Sequence, residues 1–411
     1  MKLKKYLPKA AAIICLCLAA LIAIPNLMTG EAASGSVSIK SGTAIFSSAD
    51  LFTDRDLEQQ ADTSEAKQLT LVSGSDVTVT EAGVYMVSGS AKECTIYVEA
   101  GEEKVQIVLD SVSVTNTSKP VIYVKEADKV FVTLAGESSL SVTGSFTADG
   151  STNTDGVIFS KSDLVLNGTG SLKISSTKNG IVGKDDLKIT GGTYVISAQS
   201  KCIEANDSIR IAGGTFTLTA GTDGLHVESD DAAKGYIYIS GGSFEISARD
   251  DGIHATSIVQ IDGGEFNISA YEGIEGTYIQ LNGGTITITA SDDGINAARK
   301  INAYTPTIEI NGGLITITMG TGDTDGVDAN GNIIINGGTV YVYAVSTFDF
   351  DGTGTINGGT VYVNGEQVTT LPNQIMGMGG WGQQGGWGNQ GGWGNQGGRG
   401  QQGGWGGRGG W

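Results

Sequence analysis

The chain has 411 residues, of which 64 are Gly, 5 are Pro and 4 are Cys, and its formal net charge at pH 7 is −19. This acidity argues against nucleic acid and anionic membrane surfaces as partners, because phosphate binding needs clustered Lys and Arg. Thr, Ile, Val and Ser dominate the middle of the chain, and no long amphipathic helical pattern occurs between residues 76 and 366. The composition favours strands and turns and predicts an all-β fold.

Residues 1–33 have the pattern of a secretory signal peptide. The basic stretch "MKLKK" precedes the apolar run "AAAIICLCLAALIAI", and "GEAAS" supplies small residues for cleavage near Ala32 or Ala33. A retained membrane anchor is the alternative, but the apolar run is short for a bilayer span. We therefore expect an extracellular protein, secreted or associated with the cell surface, that is not an integral membrane protein after cleavage. The remaining Cys94 and Cys202 lie several repeats apart and are expected to be buried thiols.

A repeat occupies residues 76–366, after an N-terminal capping segment at 34–75. Gly-Gly steps recur about every 21 or 22 residues, with occasional insertions. Within residues 249–270 the runs "GIHA", "IVQI" and "EFNISA" each alternate apolar and polar residues, which is the period of a strand, and turn residues separate them. Three short strands in each repeat predict a right-handed parallel β-helix of about 11–12 coils.

Coils of such a solenoid stack about 4.8 Å apart, so equivalent residues form ladders along its axis. Apolar residues that follow the Gly-Gly and acid-Gly steps are predicted to fill the core; among them are Tyr194, Phe216, Phe244, Phe266, Ile253, Ile274 and Ile295. The polar residues just before Gly-Gly are predicted to bond to one another as a corner ladder; they are Asp262, Asn282, Asn311, Asn336 and Asn357.

An acidic residue followed by Gly opens many of the coils. One interpretation is structural, since Gly accepts a positive φ and Asp caps its own turn. The other adds Ca²⁺, because stacked carboxylates repel unless a cation lies between them, and Ca²⁺ takes six to eight oxygen ligands. A turn needs one acid, yet Asp250 precedes Asp251 and Asp292 precedes Asp293, so we expect bound Ca²⁺. The candidate ligands are Asp223, Asp250, Asp251, Glu272, Glu275, Asp292, Asp293, Asp323, Asp325 and Asp328.

The only two histidines, His226 and His254, are predicted to face outward in successive coils, with Glu275 in the next. This arrangement is compatible with a transition-metal site or a general base, but solvated ladder residues are the favoured interpretation.

Tyr341, Tyr343 and Tyr362 replace small hydroxyl residues on the outer face near the C-terminal end. We interpret them as a carbohydrate-binding platform on which sugar rings stack; the alternative is a hydrophobic lid formed with Phe348 and Phe350. Residues 367–411 form a linker and a Gly/Trp/Gln-rich tail, which cannot bury a core and is predicted to be disordered. Its regularly spaced Trp residues suggest weak multivalent contact with the cell wall, with a solubility or self-association role as the alternative.

The segment "SADLFTDRDLEQQADTSEAK" (48–67), the following "EAGVYMVSGS", the "DGIHA" and "DGINA" steps and the "INGGTVYV" coils together resemble a family of secreted clostridial and related Gram-positive carbohydrate-binding β-helix proteins. The resemblance covers about residues 48–366. It implies a fold like that of polysaccharide lyases, calcium between coils, and binding of cellulose and of acidic polysaccharides such as polygalacturonate.

Three functions remain compatible with the sequence. The first is a non-catalytic, secreted carbohydrate-binding protein stabilised by Ca²⁺. The second is a Ca²⁺-dependent pectate-type lyase, which needs a Lys or Arg base; Lys201, Arg249, Arg299 and Lys300 lie near the acids. The third is a structural or adhesive surface protein.

Overall fold

The computed structural model describes residues 37–321 and 324–373. The predicted signal peptide, the candidate ligand Asp323 and residues 374–411 of the tail lie outside the described residues. Two short helices, Ser48–Leu51 and Asp54–Leu57, precede a chain made of strands. No helix among the described residues has the length and hydropathy that crossing a bilayer requires.

The strands stack in parallel into three columns around an apolar interior, which confirms the predicted parallel β-helix. Within the described part of the chain, the first column is a sheet of twelve strands, one per coil, in agreement with the predicted coil number. The second and third columns belong to one sheet, because the long strands Gly83–Lys92 and Lys104–Asn116 extend across both at the N-terminal end. The strand Lys67–Thr70 pairs with the first of them.

The bounds of the strands follow the repeat. The first column contains Val77–Val79, Ile96–Glu99, Ile122–Glu126, Gly156–Ser160, Asn179–Gly183, Ile203–Ala205, Leu225–Val227, Asp251–Ala255, Glu272–Gly276, Asp293–Ala297, Asp325–Ala329 and Ser346–Phe350. The second contains Lys129–Leu134, Asp163–Gly168, Asp186–Ile189, Ser208–Ile211, Tyr236–Ile239, Ile258–Ile261, Tyr278–Leu281, Thr307–Ile310, Asn332–Ile335 and Gly354–Ile356. The third contains Glu137–Val142, Ser171–Ser176, Thr193–Ala198, Thr215–Ala220, Ser243–Ser247, Glu265–Ala270, Thr285–Ala290, Leu314–Met319, Thr339–Tyr343, Thr360–Val363 and Glu366–Val368.

The predicted core ladders are buried. Rings of the aromatic ladder stack on one another with centroids 5.2, 4.6 and 4.5 Å apart along the series Tyr194, Phe216, Phe244 and Phe266. Each amide of the corner ladder donates to the preceding coil at 2.7–2.9 Å along the series Asp262, Asn282, Asn311, Asn336 and Asn357. Cys94 and Cys202 are buried free thiols, as expected.

The last described coil ends in a hairpin. Asn364 and Gly365 both have positive φ, 52° and 89°, and turn the chain so that Glu366–Val368 pairs antiparallel with Thr360–Val363. An Asn-Gly pair with positive φ at both residues is the preferred connection of a two-residue hairpin. The antiparallel strand covers the edge on which a further parallel coil would otherwise add.

The glycines of the acid-Gly steps serve a different purpose from the predicted one. Gly252 lies inside the strand Asp251–Ala255 and its φ is not positive. A Cβ there would lie 2.6 Å from the carbonyl oxygen of Gly273 in the next coil and closer still to Ile268 Cγ2. The positive φ belongs instead to the second glycine of each Gly-Gly step, such as Gly264 at 113°. The prediction of a positive-φ acid-Gly turn is therefore wrong, and close packing between coils is what requires glycine.

Residues 37–59, here called the strap, lie along the outer side of the second column. The backbone N–H of Ile45 donates to Gln260 Oε1 at 3.0 Å, and the Phe46 ring stacks on Tyr236 with centroids 4.5 Å apart. Further toward the N-terminus, Ser41 Oγ donates to the buried Glu309 at 2.6 Å. The strap therefore covers the outward side chains of this column over several coils.

A buried ion pair fixes the C-terminal part of the strap. Asp56 is fully buried, and its Oδ2 lies 2.8 Å from Lys188 Nζ, while Lys129 Nζ lies 3.6 Å from Oδ1. Burial raises the pKa of Asp56, but the hydrogen bonds from Lys188 and Thr53, together with the charges of Lys188 and Lys129, hold that pKa below its ordinary value. The charge of Asp56 is compensated by Lys188 and Lys129 only when the strap is docked. This ion pair therefore joins the strap to the solenoid.

Asp56→Asn is expected to release this part of the strap, since it leaves the buried Lys188 without its counter-charge; loss of one partner of a buried pair costs about 3–5 kcal/mol. Faster amide hydrogen exchange at residues 45–59 and a lower urea midpoint measure the effect. Asp54→Asn, at an exposed position of the same helix, is the control. Because the pKa of Asp56 is lowered, its stabilisation is present above the ordinary value of 3.8 and is lost as the pH falls through the folded value. Unchanged exchange in Asp56→Asn contradicts this account.

Gly252→Ala is expected to destabilise the solenoid by about 1–3 kcal/mol, because the added Cβ overlaps the backbone of the next coil. Gly213→Ala is a matched control, since the nearest atom to its Cβ is Thr190 O at 3.6 Å. Urea unfolding of both variants compares them directly. Equal midpoints for the two variants would show that coil spacing does not demand glycine at position 252.

Candidate functional site

Two ladders of polar side chains run along the first column. The first ladder consists of the residue before each acid-Gly glycine; its members are Asp223, Asp251, Glu272, Asp293 and Asp325. Register pairs Asp251 with Glu272 and Asp293 with Asp325. The second ladder lies three residues further along each strand; its members are Glu204, His226, His254, Glu275, Asn296, Asp328 and Asp349.

The upstream part of these ladders contains its own cations. His254 Nδ1 lies 2.7 Å from both Asp251 Oδ2 and Glu275 Oε2, and Lys300 Nζ lies 2.5 Å from Glu275 Oε1. Burial lowers the pKa of His254, but contacts with these two carboxylates outweigh it and raise the pKa to about 9. Similarly, His226 Nδ1 lies 2.8 Å from Asp223 Oδ2. Of the candidate ligands in this part, Asp223, Asp251 and Glu275 therefore have basic neighbours, and the exposed Asp250 lies beside Asp223 and Asp251.

The downstream part is different. Oxygens of Glu272, Asp292 and Asp293 all lie within 4.8 Å of one another. Within the described residues, no ion pair joins any of these three carboxylates to a Lys, Arg or His. Burial and the charges of Glu275 and Asp251 raise the pKa of Glu272 to about 8. These acids are thus held together without a direct ion pair to a basic side chain of the described residues.

The crowding continues into the next coil. Burial and the charges of Asp328, Asp292 and Asp325 raise the pKa of Asp293 to about 7. Burial and the charges of Asp325 and the downstream aspartates raise the pKa of Asp328 to about 7 as well. A further oxygen belongs to Asn296, which is 9 % exposed; its Nδ2 donates to Glu272 Oε2 at 3.1 Å, whereas its Oδ1 accepts no hydrogen bond from the described residues.

The donor set of the downstream part fits Ca²⁺. It consists of carboxylate oxygens and an amide oxygen, which are hard ligands, and it contains no nitrogen or sulfur donor. Glu272, Asp292 and Asp293 would hold an ion, with Asn296 Oδ1 as a further oxygen donor. Asp293, Asp325 and Asp328 form a second candidate group. A bound cation would also relieve the repulsion that raises the pKa values of these carboxyl groups.

A separate polar ladder runs along the outer face of the third column. Register aligns one residue from each of seven coils, in the order Thr217, Glu245, Asn267, Thr287, Thr316, Tyr341 and Tyr362. A shallow groove of about 270 Å³ lies at its upstream end, beside Thr217, Glu245 and Asn267. Asn267 Nδ2 donates to Glu245 Oε2 at 2.9 Å, which orients the amide and the carboxylate.

The structure places the predicted tyrosine platform at the downstream end of this ladder. The rings of Tyr341 and Tyr362 stack on each other with centroids 4.7 Å apart at 7°, and Tyr343 is 40 % exposed beside them. Because they stack on each other, the rings of Tyr341 and Tyr362 stand upright on the sheet. A ligand would therefore contact the outer ring faces and the hydroxyl groups of this pair. Phe348 lies in the core of the first column and is fully buried, whereas Phe350 is half-buried.

Sequence reasoning placed Lys300 and Asn296 near the acids but did not predict the contacts through which they affect the electrostatics of the ladders. Lys300 lies in an insertion, so no repeat position predicts its contact with Glu275. Asn296 is an amide among the acids of the ladder. The hydrogen bond from its Nδ2 to Glu272 orients the side chain, and its Oδ1 then accepts no hydrogen bond from the described residues. The i, i+3 pairing of Asp223 with His226 and of Asp251 with His254 could have been read from "DGLH" and "DGIH".

The fold is a parallel β-helix with acid-rich ladders along its first column and a polar, partly aromatic ladder along its third. A family described as carbohydrate-binding domain-containing proteins matches residues 73–323 and 272–367. The chain belongs to this family, which confirms the resemblance inferred from the sequence.

Two known proteins are similar to the chain. A carbohydrate-binding domain-containing protein of Acetivibrio thermocellus is 35 % identical over 133 residues, which are 31 % of this chain and 46 % of that protein. The match thus spans about half of that relative's length. A solved structure, that of the polysaccharide lyase-like protein from C. thermocellum as a gadolinium derivative, is 33 % identical; the match covers 53 % of this chain and 87 % of that chain, with a TM-score of 0.45.

In the presence of chelator, stability is expected to fall as the pH rises from about 4.5 to about 8. The folded state raises the pKa of Glu272 above its ordinary value of 4.5, so the folded protein binds more protons than the unfolded chain across this range. Glu272→Gln removes one titrating group and should flatten the fall, which thermal melts at a series of pH values would record. Glu102→Gln, at an exposed position far along the chain, should leave the slope unchanged. Identical slopes for Glu272→Gln and the native chain would contradict the crowding of these acids.

Proposed function

We propose that the protein is a secreted, non-catalytic polysaccharide-binding protein whose solenoid is stabilised by Ca²⁺. The observation that carries the binding role is the outer ladder of the third column. It presents hydroxyl, amide, carboxylate and tyrosine side chains in line over seven coils, a length of about 29 Å at 4.8 Å per coil. A straight array of polar and aromatic groups suits an extended glycan chain, and membership of the carbohydrate-binding domain family supports this ligand class.

Calcium belongs to this proposal through the downstream acids. A cation held by Glu272, Asp292 and Asp293, or by Asp293, Asp325 and Asp328, offsets carboxylate repulsion within the rod. It also leaves coordination positions for external oxygens, because Ca²⁺ takes six to eight ligands. Carboxylates of an acidic polymer such as polygalacturonate are suitable external ligands. Neutral cellulose, in contrast, would bind through the third column alone.

The basic residues near the acids favour binding over lyase chemistry. A Lys acting as a general base needs a lowered pKa at neutral pH. Burial lowers the pKa of Lys300, but the hydrogen bond to Glu275 and the charges of the surrounding acids raise it overall. Lys201 Nζ lies 3.9 Å from Glu204 Oε2.

The location and the tail complete the proposal. The apolar N-terminal segment supports secretion, and the Trp-rich residues beyond 373 support a cell-wall contact that adds avidity to the β-helix. A spacer or adhesive role is compatible with the same rod, and deletion of residues 376–411 followed by cell-wall pull-down separates the contributions.

Chelation is expected to lower the thermal midpoint and polygalacturonate binding together. Asp293→Asn should weaken binding to polygalacturonate but leave cellulose binding intact, since cellulose has no carboxylate for the cation. Replacing both Tyr341 and Tyr362 with Ala should weaken binding to both polymers. Calorimetric or pull-down titrations with and without Ca²⁺ measure each effect.

Unchanged polygalacturonate binding in excess chelator would rule out bridging by the cation. Release of unsaturated uronate, followed by its absorbance during incubation with pectin and Ca²⁺, would replace the non-catalytic proposal by a lyase. Asp50→Asn, at an exposed site in the strap, is a charge-matched control for Asp293→Asn.

A further inference from the structure

The upstream ladders bring together a ligand set that Ca²⁺ does not prefer. Asp251 Oδ2 and Glu275 Oε2 lie on either side of His254 Nδ1, each at 2.7 Å, and the three ligand atoms are all within 4.8 Å of one another. Asp251 and Glu275 are 6 % and 4 % exposed, so the carboxylates are largely dry. One imidazole nitrogen and two carboxylate oxygens are ligands typical of Zn²⁺ and related first-row ions.

The neighbouring coil supplies a second, independent observation. His226 is only 8 % exposed, and its ring stacks on that of His254 with centroids 4.6 Å apart at 15°. Its Nδ1 approaches Asp223 Oδ2 to 2.8 Å, but no in-line hydrogen bond joins them, and Nε2 lies 3.7 Å from Glu228. A second buried imidazole, whose Nδ1 contacts Asp223, is therefore stacked against the cluster.

Groups around the cluster hold the carboxylates in place. Lys300 Nζ binds Glu275 Oε1 at 2.5 Å, which leaves Oε2 to face His254. The backbone N–H of Asp251 donates to Asp223 Oδ1 at 3.2 Å and ties the two coils together. Such partners behind the ligands orient them and tune metal affinity.

We propose that Asp251, His254 and Glu275 form a binding site for a divalent transition-metal ion of the Zn²⁺ type, with His226 and Asp223 as adjacent donors. The ion displaces the proton on His254 Nδ1, which passes to solvent. The two 2.7 Å contacts then open to about 3.3 Å, the ligand separation in a tetrahedron with bonds of 2.0–2.1 Å. Three protein ligands leave a fourth position open to water or to an oxygen of a bound molecule.

The presence of only two histidines makes the native chain itself the best test. Imidazole ¹⁵N resonances of the chain are followed during addition of ZnCl₂ in buffer with excess Ca²⁺, and His226→Gln assigns the two signals. The expected result is a large shift of the His254 Nδ1 resonance that saturates at one equivalent, with proton release in calorimetry. Histidine resonances that do not move with excess Zn²⁺ would overturn the proposal.

Variants separate this site from the downstream acids. His254→Gln and Glu275→Gln should each weaken Zn²⁺ binding by at least about tenfold, the size of effect seen even for groups behind the ligands. Asp293→Asn should leave Zn²⁺ affinity unchanged, since it lies in the carboxylate-only part. Circular dichroism checks that each variant is folded. Equal Zn²⁺ affinity in folded His254→Gln and the native chain would show that the cluster is an ion-pair network.

Discussion

In-register stacking is the constraint on which the rest of this structure depends. Each coil places its residues about 4.8 Å from the equivalent residues of its neighbours, so each position of the repeat forms a column of similar side chains. Apolar columns gain from this arrangement, because Phe stacks on Phe and Ile packs on Ile. The asparagine column gains too, because an amide both donates and accepts. Only a carboxylate column is penalised, since neighbouring members repel and none can donate.

The two halves of the acid ladders meet that penalty differently. Upstream, His226 and His254 of the second ladder contact Asp223 and Asp251 of the first, and Lys300, which lies in an insertion, contacts Glu275. Downstream, acid follows acid from Glu272 to Asp328, and the pKa values rise to about 7 or 8. Protonation or a bound cation are the two ways to relieve such crowding. Under the proposed function a bound Ca²⁺ ion relieves it, and hard oxygen ligands suit that ion.

The ladders could be predicted from sequence because they depend only on the period. Once the Gly-Gly spacing is known, Ile253 must stack on Ile274, and Asn311 must meet Asn336. The reason for Gly252 could not be predicted the same way. The dipeptide Asp251-Gly252 is identical to that of an ordinary turn. Glycine is required at position 252 because of the carbonyl oxygen of Gly273, a full coil away. The pairing of Lys300 with Glu275 was equally hidden, because an insertion has no place in the register.

The contacts of the strap could not be predicted from the repeat either, because the strap lies outside it. The strap nevertheless limits where ligands can bind. A three-sided solenoid offers three outer faces, and residues 37–59 occupy much of the second with bonds to Gln260, Glu309 and Lys188. The first face carries the acids and the third carries the polar and tyrosine ladder. Under the proposed function, a polymer with carboxylates engages the first face through cations, and an extended glycan lies on the third. Because the two faces belong to different columns, changes to one leave the other intact, and their contributions to binding are separable by mutation.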